Sequence, residues 1–184
     1  MKINKKFVYL ISPNKISSND FYSNLKKLFK TKKISFFQLR LKNHNTKKIK
    51  SISKKIKKLA KKYHVKFIIN DNPYLANRVN ADGCHIGQKD FSIEKARKIL
   101  KNKILGVTCH NSIKLSLNAI KGGADYIALG SFFPTKTKKI KFRADFKTLR
   151  KVKKFGKVPI VAIGGINFNN YKKVLLNKAN FLAI

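Results

Sequence analysis

Residues 34–70 read ISFFQLRLKNHNTKKIKSISKKIKKLAKKYHVKFIIN, and this stretch decides the fold. Its two ends, 34–41 and 65–70, are short apolar runs that are typical of buried strands. Between them, apolar residues recur at steps of three and four: Ile49, Ile52, Ile56 and Leu59. That period indicates one face of a helix over 46–63, with lysines on the opposite face. The stretch therefore predicts a strand–helix–strand unit, the building block of a parallel sheet.

The same alternation extends along the chain in both directions. Further strands are predicted at 7–12, 83–86, 103–109, 126–130, 159–163 and 181–184. Further helices are predicted at 17–30, 74–79, 92–101, 112–121, 145–154 and 168–177, with Ser92 placed to cap one of them. Eight such repeats predict an α/β fold, the (β/α)8 TIM barrel, with an open doubly wound sheet as the alternative. We expect one domain over 1–184, ending in strand eight without a last helix.

The composition is strongly basic, with 44 Lys and Arg against 7 Asp and Glu, a net charge of +37. Such an excess favours nucleic acid, a membrane surface or anionic ligands as partners. The interpretation that we favour is solvated helix faces, with a bias toward residues with A/T-rich codons supplying much of the excess. No apolar stretch approaches the roughly 20 residues that span a bilayer, and the N-terminus lacks a signal-peptide pattern. Cys84 and Cys109 have no metal-site spacing, and a cytoplasmic protein is expected.

Polar residues follow most of the predicted strands. At the ends of strands two, three and five they are Gln38, Arg40 and Lys42, then Asn70 and Asp71, then Thr108 and His110. After strands four, six and seven they are Gly87, Gln88 and Asp90, then Thr135, Thr137 and Lys138, then Gly164, Gly165 and Asn167. In a parallel barrel all these loops open at one end, where active sites lie. The sequence therefore predicts that six separate segments deliver polar groups to one mouth.

The residue types at this mouth predict a phosphate site. Arg40, Lys42 and Lys138 can neutralise a polyanion, and Asp71 with Asp90 suits Mg²⁺, which binds one or two carboxylates together with substrate phosphate. Gly164 and Gly165 would let the backbone approach a phosphate, and the helix start that follows them would offer it free N–H groups. Each feature also has a structural interpretation: a turn before Pro73 for Asp71, and polar or tight loops for the others. His85, inside an apolar strand, is interpreted as a hydrogen-bonded core histidine.

Six motifs, in this order and spacing, resemble the thiamine-phosphate synthase family. They are QLRLK at 38–42, IINDNPYLA at 68–76, ADGCHIGQKD at 81–90, GVTCHN at 106–111, GADYIALGSFFPTKTK at 123–138 and PIVAIGGIN at 159–167. The resemblance implies a barrel that joins hydroxymethylpyrimidine diphosphate to hydroxyethylthiazole phosphate, or its carboxylated form. Diphosphate would leave to give a pyrimidine-methyl cation, and the thiazole nitrogen would attack it.

The resemblance also implies roles for individual residues. The pyrimidine diphosphate would be held by Gln38, Leu39, Arg40, Leu41, Lys42, Asn70, Thr108 and Lys138. Of these, Arg40, Lys42, Thr108 and Lys138 would be catalytic, while Asp71 and Asp90 would bind Mg²⁺. The thiazole phosphate would be held by Thr135, Lys136, Thr137 and Gly165. The chain departs from the family pattern at Leu41, at Lys136 and in the segment after strand eight, which normally closes the thiazole phosphate site.

Three other functions remain open at this point. One is a thiazole tautomerase of related fold, which would not need the full set of cations and carboxylates. Another is a basic RNA-binding protein, although the helices lack interleaved surface aromatics and a recognised motif. The last is a membrane-surface protein using helix 46–63, whose apolar face the barrel already requires. The sequence favours phosphorylated small molecules as partners, with no specific nucleic acid or membrane, and leaves a homo-oligomer open.

Overall fold

The computed structural model of the protein describes residues 7–16, 20–41, 45–135 and 141–184. Its strands are β1 (Val8–Ile11), β2 (Ile34–Leu39), β3 (Lys66–Asn70), β4 (Gly83–Ile86), β5 (Ile104–His110), β6 (Tyr126–Gly130), β7 (Ile160–Ile163) and β8 (Phe181–Ala183). Its helices are α1 (Asp20–Lys30), α2 (Thr46–Lys62), α3 (Pro73–Arg78), α4 (Ile93–Leu100), α5 (Ile113–Lys121), α6 (Phe146–Phe155) and α7 (Tyr171–Leu176). Strand and helix alternate throughout, as predicted.

The sheet closes on itself. Each strand pairs in parallel with the next along the chain, and β1 also pairs with β8, where Val8 aligns with Leu182 and Tyr9 with Ala183. This pairing confirms the barrel, and the open-sheet alternative is wrong. Because every strand is parallel, the carboxyl ends of β1 to β8 and the loops that follow them share one end of the barrel.

Two apolar layers lie on either side of the strands. The outer layer packs the strands against the helices, and α2 contributes Ile52, Ile56 and Ala60 to it. The inner layer fills the barrel and includes a cluster of four aromatic rings, namely Tyr9, Phe36, Tyr126 and Phe181. Successive strand residues point to opposite layers because the side-chain period of a strand is two.

Side chains cap α2 to α6 at their N-termini, where backbone N–H groups lack partners within the helix. Ser92 accepts a hydrogen bond from the amide of Lys95 at the start of α4, as predicted. Asn45 does the same for Lys48 in α2. One helix boundary was predicted wrongly, because α7 begins at Tyr171 rather than at residue 168.

The amino-terminal end of the barrel repeats one structural device. It occurs three times, at Asp82, Asp125 and Asn180, each of which follows an alanine and directly precedes β4, β6 or β8. In each case the side chain accepts the backbone N–H of a residue at the start of the strand before, which is β3, β5 or β7. The bonds run from Phe67 N to Asp82 at 2.8 Å, from Leu105 N to Asp125 at 2.8 Å and from Ile160 N to Asn180 at 3.0 Å. Each bond satisfies a strand amide at the end of the barrel opposite the predicted mouth.

Within the described residues, no helix combines the length and the apolar character needed to cross a membrane.

Candidate functional site

Arg40 lies directly after β2 and is held by the loop that follows β1. Its backbone amide donates to Ser12 Oγ at 2.9 Å, and its guanidinium Nη1 donates to Asn14 Oδ1 at 2.8 Å. The guanidinium is close enough to Asp71 to lower the pKa of that carboxyl. Neighbouring loops therefore fix a cation beside a carboxylate at the predicted mouth.

Asp71 and Asp90 lie together at this mouth, although 18 positions in the sequence separate them from one another. Asp71 follows β3 with φ at 62°, and its amide donates to the carbonyl of His85 at 2.7 Å. Asp90 Oδ2 accepts the amide N–H of Gly87 at 2.6 Å. The two carboxyl groups are within hydrogen-bonding reach of each other. The loops after β3 and β4 thus hold two like charges in contact.

Burial and Asp90 together raise the pKa of Asp71 to about 6. Burial contributes most, followed by the hydrogen bond and the charge of Asp90, while Arg40 and Asn70 act in the opposite direction. Two adjacent carboxylates form a locally over-acidic site in a very basic protein. A bound divalent cation would relieve this repulsion, and carboxylate oxygens are ligands that Mg²⁺ prefers, so these residues fit the predicted metal.

Gln38 and Asn70 meet inside the barrel below this cluster. Gln38 is only 4% exposed, and its amide nitrogen donates to Asn70 Oδ1. Asn70 in turn hydrogen-bonds the Asp71 carboxylate and lowers its pKa. The two amides that were predicted to contact the pyrimidine diphosphate thus also support the carboxylate.

His85 is a hydrogen-bonded core histidine, as predicted. Its Nδ1 lies 2.9 Å from Tyr126 Oη, and its Nε2 lies 2.8 Å from Thr108 Oγ1. Burial lowers the pKa of His85 to about 4, although the charge of Asp90 raises it. The imidazole is therefore neutral at neutral pH, with both ring nitrogens engaged.

Sequence reasoning missed Tyr9, Tyr126 and Gly106. The two tyrosine hydroxyls lie 2.7 Å apart, and Tyr9 Oη also donates to Gln38 Oε1 at 2.8 Å. Gly106 pairs with His85 on one side and with Tyr126 on the other. A Cβ there would lie 2.0 Å from Tyr126 Cζ, so only glycine lets these two rings meet across β5. The period-two alternation of β6 placed Tyr126 inward, and its hydroxyl needed a partner there.

Gly165, from the predicted thiazole-phosphate site, packs against Phe133 and Pro134, which directly precede Thr135. Gly164 and Gly165 have φ values of 98° and 62°, which favour glycine, and Gly164 O accepts the amide of Phe133 at 3.0 Å. A Cβ on Gly165 would lie 2.3 Å from the carbonyl of Pro134, the residue before Thr135. The glycine pair therefore packs the β7 loop tightly against the β6 loop.

The helix that follows Gly165, predicted to offer free N–H groups to a phosphate, begins only at Tyr171, after a turn. Residues 167–170 form a turn in which Asn170 Nδ2 donates to Gly165 O, and the amide of Tyr171 donates to Asn167 O at 3.0 Å. The first amide of α7 is thus already bonded within this turn, so it is not available to a phosphate at Gly165.

Several predicted site residues lie outside the described part of the chain or point away from the mouth. Lys42, Lys136, Thr137 and Lys138 lie outside the described residues. Leu39 is 2% exposed in the layer between strands and helices, and Leu41 packs against the same layer. A contact of Leu39 with a ligand would therefore involve its backbone. The structure brings together Gln38, Arg40, Asn70, Asp71, Asp90 and Thr108 at the carboxyl ends of β2 to β5.

Comparison with known proteins gives consistent results. The profile of a family described as thiamine monophosphate synthase matches residues 8–184. A thiamine-phosphate synthase from Pelagibacter ubique is 63% identical over 183 residues, covering 100% of this chain and 88% of its own length. A second, from Fusobacterium nucleatum, is 42% identical over 165 residues, covering 89% of this chain and 79% of its own. A solved structure, thiamine phosphate pyrophosphorylase from Pyrococcus furiosus, superposes with a TM-score of 0.86 at 32% identity, covering 98% of this chain and 86% of its own.

Proposed function

This chain belongs to the thiamine monophosphate synthase family, and from that premise we propose that it condenses hydroxymethylpyrimidine diphosphate with hydroxyethylthiazole phosphate. The products are thiamine phosphate and diphosphate. The observation that carries the proposal is the cluster of Arg40, Asp71 and Asp90 at the carboxyl ends of β2 to β4. A cation next to paired carboxylates suits a diphosphate that arrives with a divalent metal.

The reaction needs charge stabilisation and positioning more than it needs a nucleophilic side chain. The bond between the pyrimidine methylene carbon and the diphosphate oxygen breaks, and its electron pair leaves with diphosphate. The lone pair of the thiazole nitrogen then forms the new carbon–nitrogen bond. Arg40 would neutralise part of the charge that develops on the leaving group, and its contacts with Ser12 and Asn14 support its fixed position.

Asp71 and Asp90 would hold Mg²⁺. Bound there, the metal would supply positive charge to the diphosphate oxygens. Asp90 is oriented by the amide of Gly87, and Asp71 by Asn70, so both carboxylates are directed before any ligand arrives. This orientation reduces the reorganisation that binding would otherwise require.

The remaining assignments extend the proposal to both substrates. Gln38, Asn70 and Thr108 would face the pyrimidine ring from the barrel interior, and Lys42 with Lys138 would bind its diphosphate. Thr135, Lys136, Thr137 and Gly165 would bind the thiazole phosphate. The tight packing of Gly165 against Pro134 supports the association of the β6 and β7 loops in that role. We place the reaction in the cytoplasm, since Cys84 and Cys109 are free, buried thiols.

The proposal is tested by incubating the purified chain with both phosphorylated precursors and Mg²⁺. We expect thiamine phosphate and diphosphate in equal amounts, with no turnover when either precursor is omitted. Arg40→Ala should lower kcat/KM by about a hundredfold, as for loss of a charge-stabilising group. Arg150→Ala, which removes an exposed arginine of α6, is the matched control and should leave kcat/KM unchanged.

Two outcomes would refute the proposed reaction. A folded chain that gives no thiamine phosphate under these conditions would exclude synthase activity. Rearrangement of the thiazole phosphate in the absence of the pyrimidine diphosphate would instead favour the tautomerase.

A further inference from the structure

A continuous chain of side-chain hydrogen bonds crosses the inside of the barrel. In order, it links Thr108, His85, Tyr126, Tyr9, Gln38 and Asn70. Both ends lie among the proposed site residues, while the middle is buried, with Tyr9 at 1% and Tyr126 at 2% exposure. Buried polar groups need partners within the protein, so every proton in this chain has a defined donor and acceptor.

The direction of the chain is set at Gln38. Its amide nitrogen Nε2 donates to Asn70 Oδ1, so its oxygen Oε1 faces Tyr9. An amide oxygen can only accept, so Tyr9 has to donate to Gln38.

Each hydroxyl and the neutral imidazole has one proton to donate, and this fixes the direction of the remaining hydrogen bonds. Tyr9 donates its single hydroxyl proton to Gln38, so at 2.7 Å from Tyr126 it has to accept. Tyr126 has then given its own proton to Tyr9 and accepts from His85 Nδ1. A neutral imidazole carries one N–H, so His85 Nε2 is an acceptor, and Thr108 donates its hydroxyl proton to it.

We infer that this chain fixes the Thr108 hydroxyl as a hydrogen-bond acceptor toward the bound pyrimidine substrate, with His85, Tyr126 and Tyr9 as positioning residues. Thr108 is partly exposed, and its one proton points inward, so the lone pairs that remain can receive an N–H or O–H group of the ligand. A ring substituent that can only accept would be rejected at this position. The identity of the ligand rests on the proposed function. The direction of the hydrogen-bonded chain does not, because it follows from the hydrogen bonds alone.

The tautomer of His85 tests the direction without any turnover. Nitrogen-15 NMR distinguishes the two neutral tautomers, and the His85 signals are those lost in His85→Gln. We expect the Nδ1–H tautomer in the wild-type protein. Tyr126→Phe removes the acceptor of this buried N–H, so the ring should change to the Nε2–H tautomer and donate to Thr108.

A second variant and a matched control keep the test decisive. Tyr9→Phe deprives Tyr126 of its acceptor, so the Tyr126 hydroxyl should turn to His85 Nδ1 and produce the same tautomer change, even if Tyr126→Phe does not fold. Tyr63→Phe is the control, because Tyr63 packs against Phe29 and is not part of the hydrogen-bonded chain. In this variant His85 should keep the Nδ1–H tautomer. An Nε2–H tautomer in the wild-type protein, or an unchanged tautomer in both Tyr9 and Tyr126 variants, would overturn the inference.

Steady-state kinetics test the consequence for the substrate. Either tyrosine variant should raise the KM for the pyrimidine diphosphate by about tenfold, the size expected for one lost hydrogen bond. The KM for the thiazole phosphate should stay unchanged, and an equal rise in both would contradict a positioning role. The expected tautomers in a protein without synthase activity would support the direction of the chain and refute the proposed reaction, so the two failures are distinguishable.

Discussion

The two ends of the barrel use their acidic and amide side chains in opposite ways. At the amino-terminal end, Asp82, Asp125 and Asn180 each accept a strand amide. Each is also matched by a cation of the same chain: Asp82 by Lys66 at 3.6 Å, Asp125 by Arg97 at 2.6 Å and Asn180 by Lys153 at 3.0 Å. At the carboxyl-terminal end, Asp71 and Asp90 are instead held against each other.

This difference separates stability from function. A side chain that satisfies a backbone N–H and a nearby cation lowers the energy of the folded chain by itself. Two carboxylates in contact raise that energy, and a divalent cation from solution would lower it again. Arg40 lies beside Asp71 but does not offset the effect of burial and of Asp90 on its pKa, so the contact of the two carboxylates indicates a site for a ligand.

The largest expected effect lies at the carboxyl-terminal end. The double variant Asp71→Asn with Asp90→Asn should lower kcat/KM by about a thousandfold, roughly 4 kcal/mol, because it removes the proposed metal ligands and keeps the side-chain shapes. Its free energy of unfolding without Mg²⁺ should be unchanged or about 1 kcal/mol higher, because the like-charge contact is gone. Kinetic assays and urea denaturation measure the two quantities. A folded double variant with wild-type kcat/KM would contradict the assignment of these residues as metal ligands.

The next effect is on the pH dependence of stability and concerns His85, which lies inside the barrel in β4, between its two ends. Its pKa of about 4 in the folded protein lies below the value of about 6.5 for an unfolded chain, so the unfolded state takes up a proton first as the pH falls. The contribution of His85 is fully present above pH 6.5 and should decline by about 3 kcal/mol as the pH falls to 4. Asp71, with its raised pKa, acts in the opposite sense over this range.

The comparison of wild type with His85→Gln isolates this contribution, because the other titrating groups largely cancel. We expect the difference in the free energy of unfolding between the two proteins to shrink by about 3 kcal/mol from pH 7 to pH 4. A difference that stays constant over this range would show that His85 is not held neutral by burial.

A smaller effect is expected at the amino-terminal end. Asp125→Ala leaves the buried amide of Leu105 and the guanidinium of Arg97 without their carboxylate partner, and should lower the free energy of unfolding by about 2 kcal/mol. The kcat of the folded variant should match the wild type. Asp20→Ala, at the exposed start of α1, is the control, with an expected cost of about 0.5 kcal/mol. A loss of kcat in Asp125→Ala with unchanged stability would contradict the assignment of stability to the amino-terminal end and of function to the carboxyl-terminal end.

The smallest effect tests the side-chain acceptor that is repeated before β4, β6 and β8. Asn180→Asp keeps the oxygen that accepts the amide of Ile160 and adds a charge beside Lys153, so stability should change by less than about 0.5 kcal/mol. Asn180→Ala should cost about 1 kcal/mol, because that oxygen is lost. Thermal unfolding of the two variants measures this contrast. Equal losses in both would show that the acceptor at position 180 does not support β7.

The barrel was predictable because its signals are local. The apolar runs of β4 and β6 were predicted with their correct ends, and the helical period in 46–63 identified the buried face of α2. The wrong boundary was the start of α7. Phe168 continues the apolar period of that helix, but a turn closed by Asn170 occupies residues 167–170. This turn depends on side-chain hydrogen bonds that the period alone does not indicate.

The sequence by itself determined the alternation of strand and helix and the end of the sheet at which the predicted site residues lie. In a parallel sheet, strand direction and loop position follow from that alternation. Only the tertiary structure decided how those residues interact. The contact of Asp71 with Asp90 and the hydrogen-bonded chain through Tyr9 and Tyr126 join residues far apart in sequence. Such contacts depend on barrel closure and on the space left by Gly106, which the residues before and after it do not reveal.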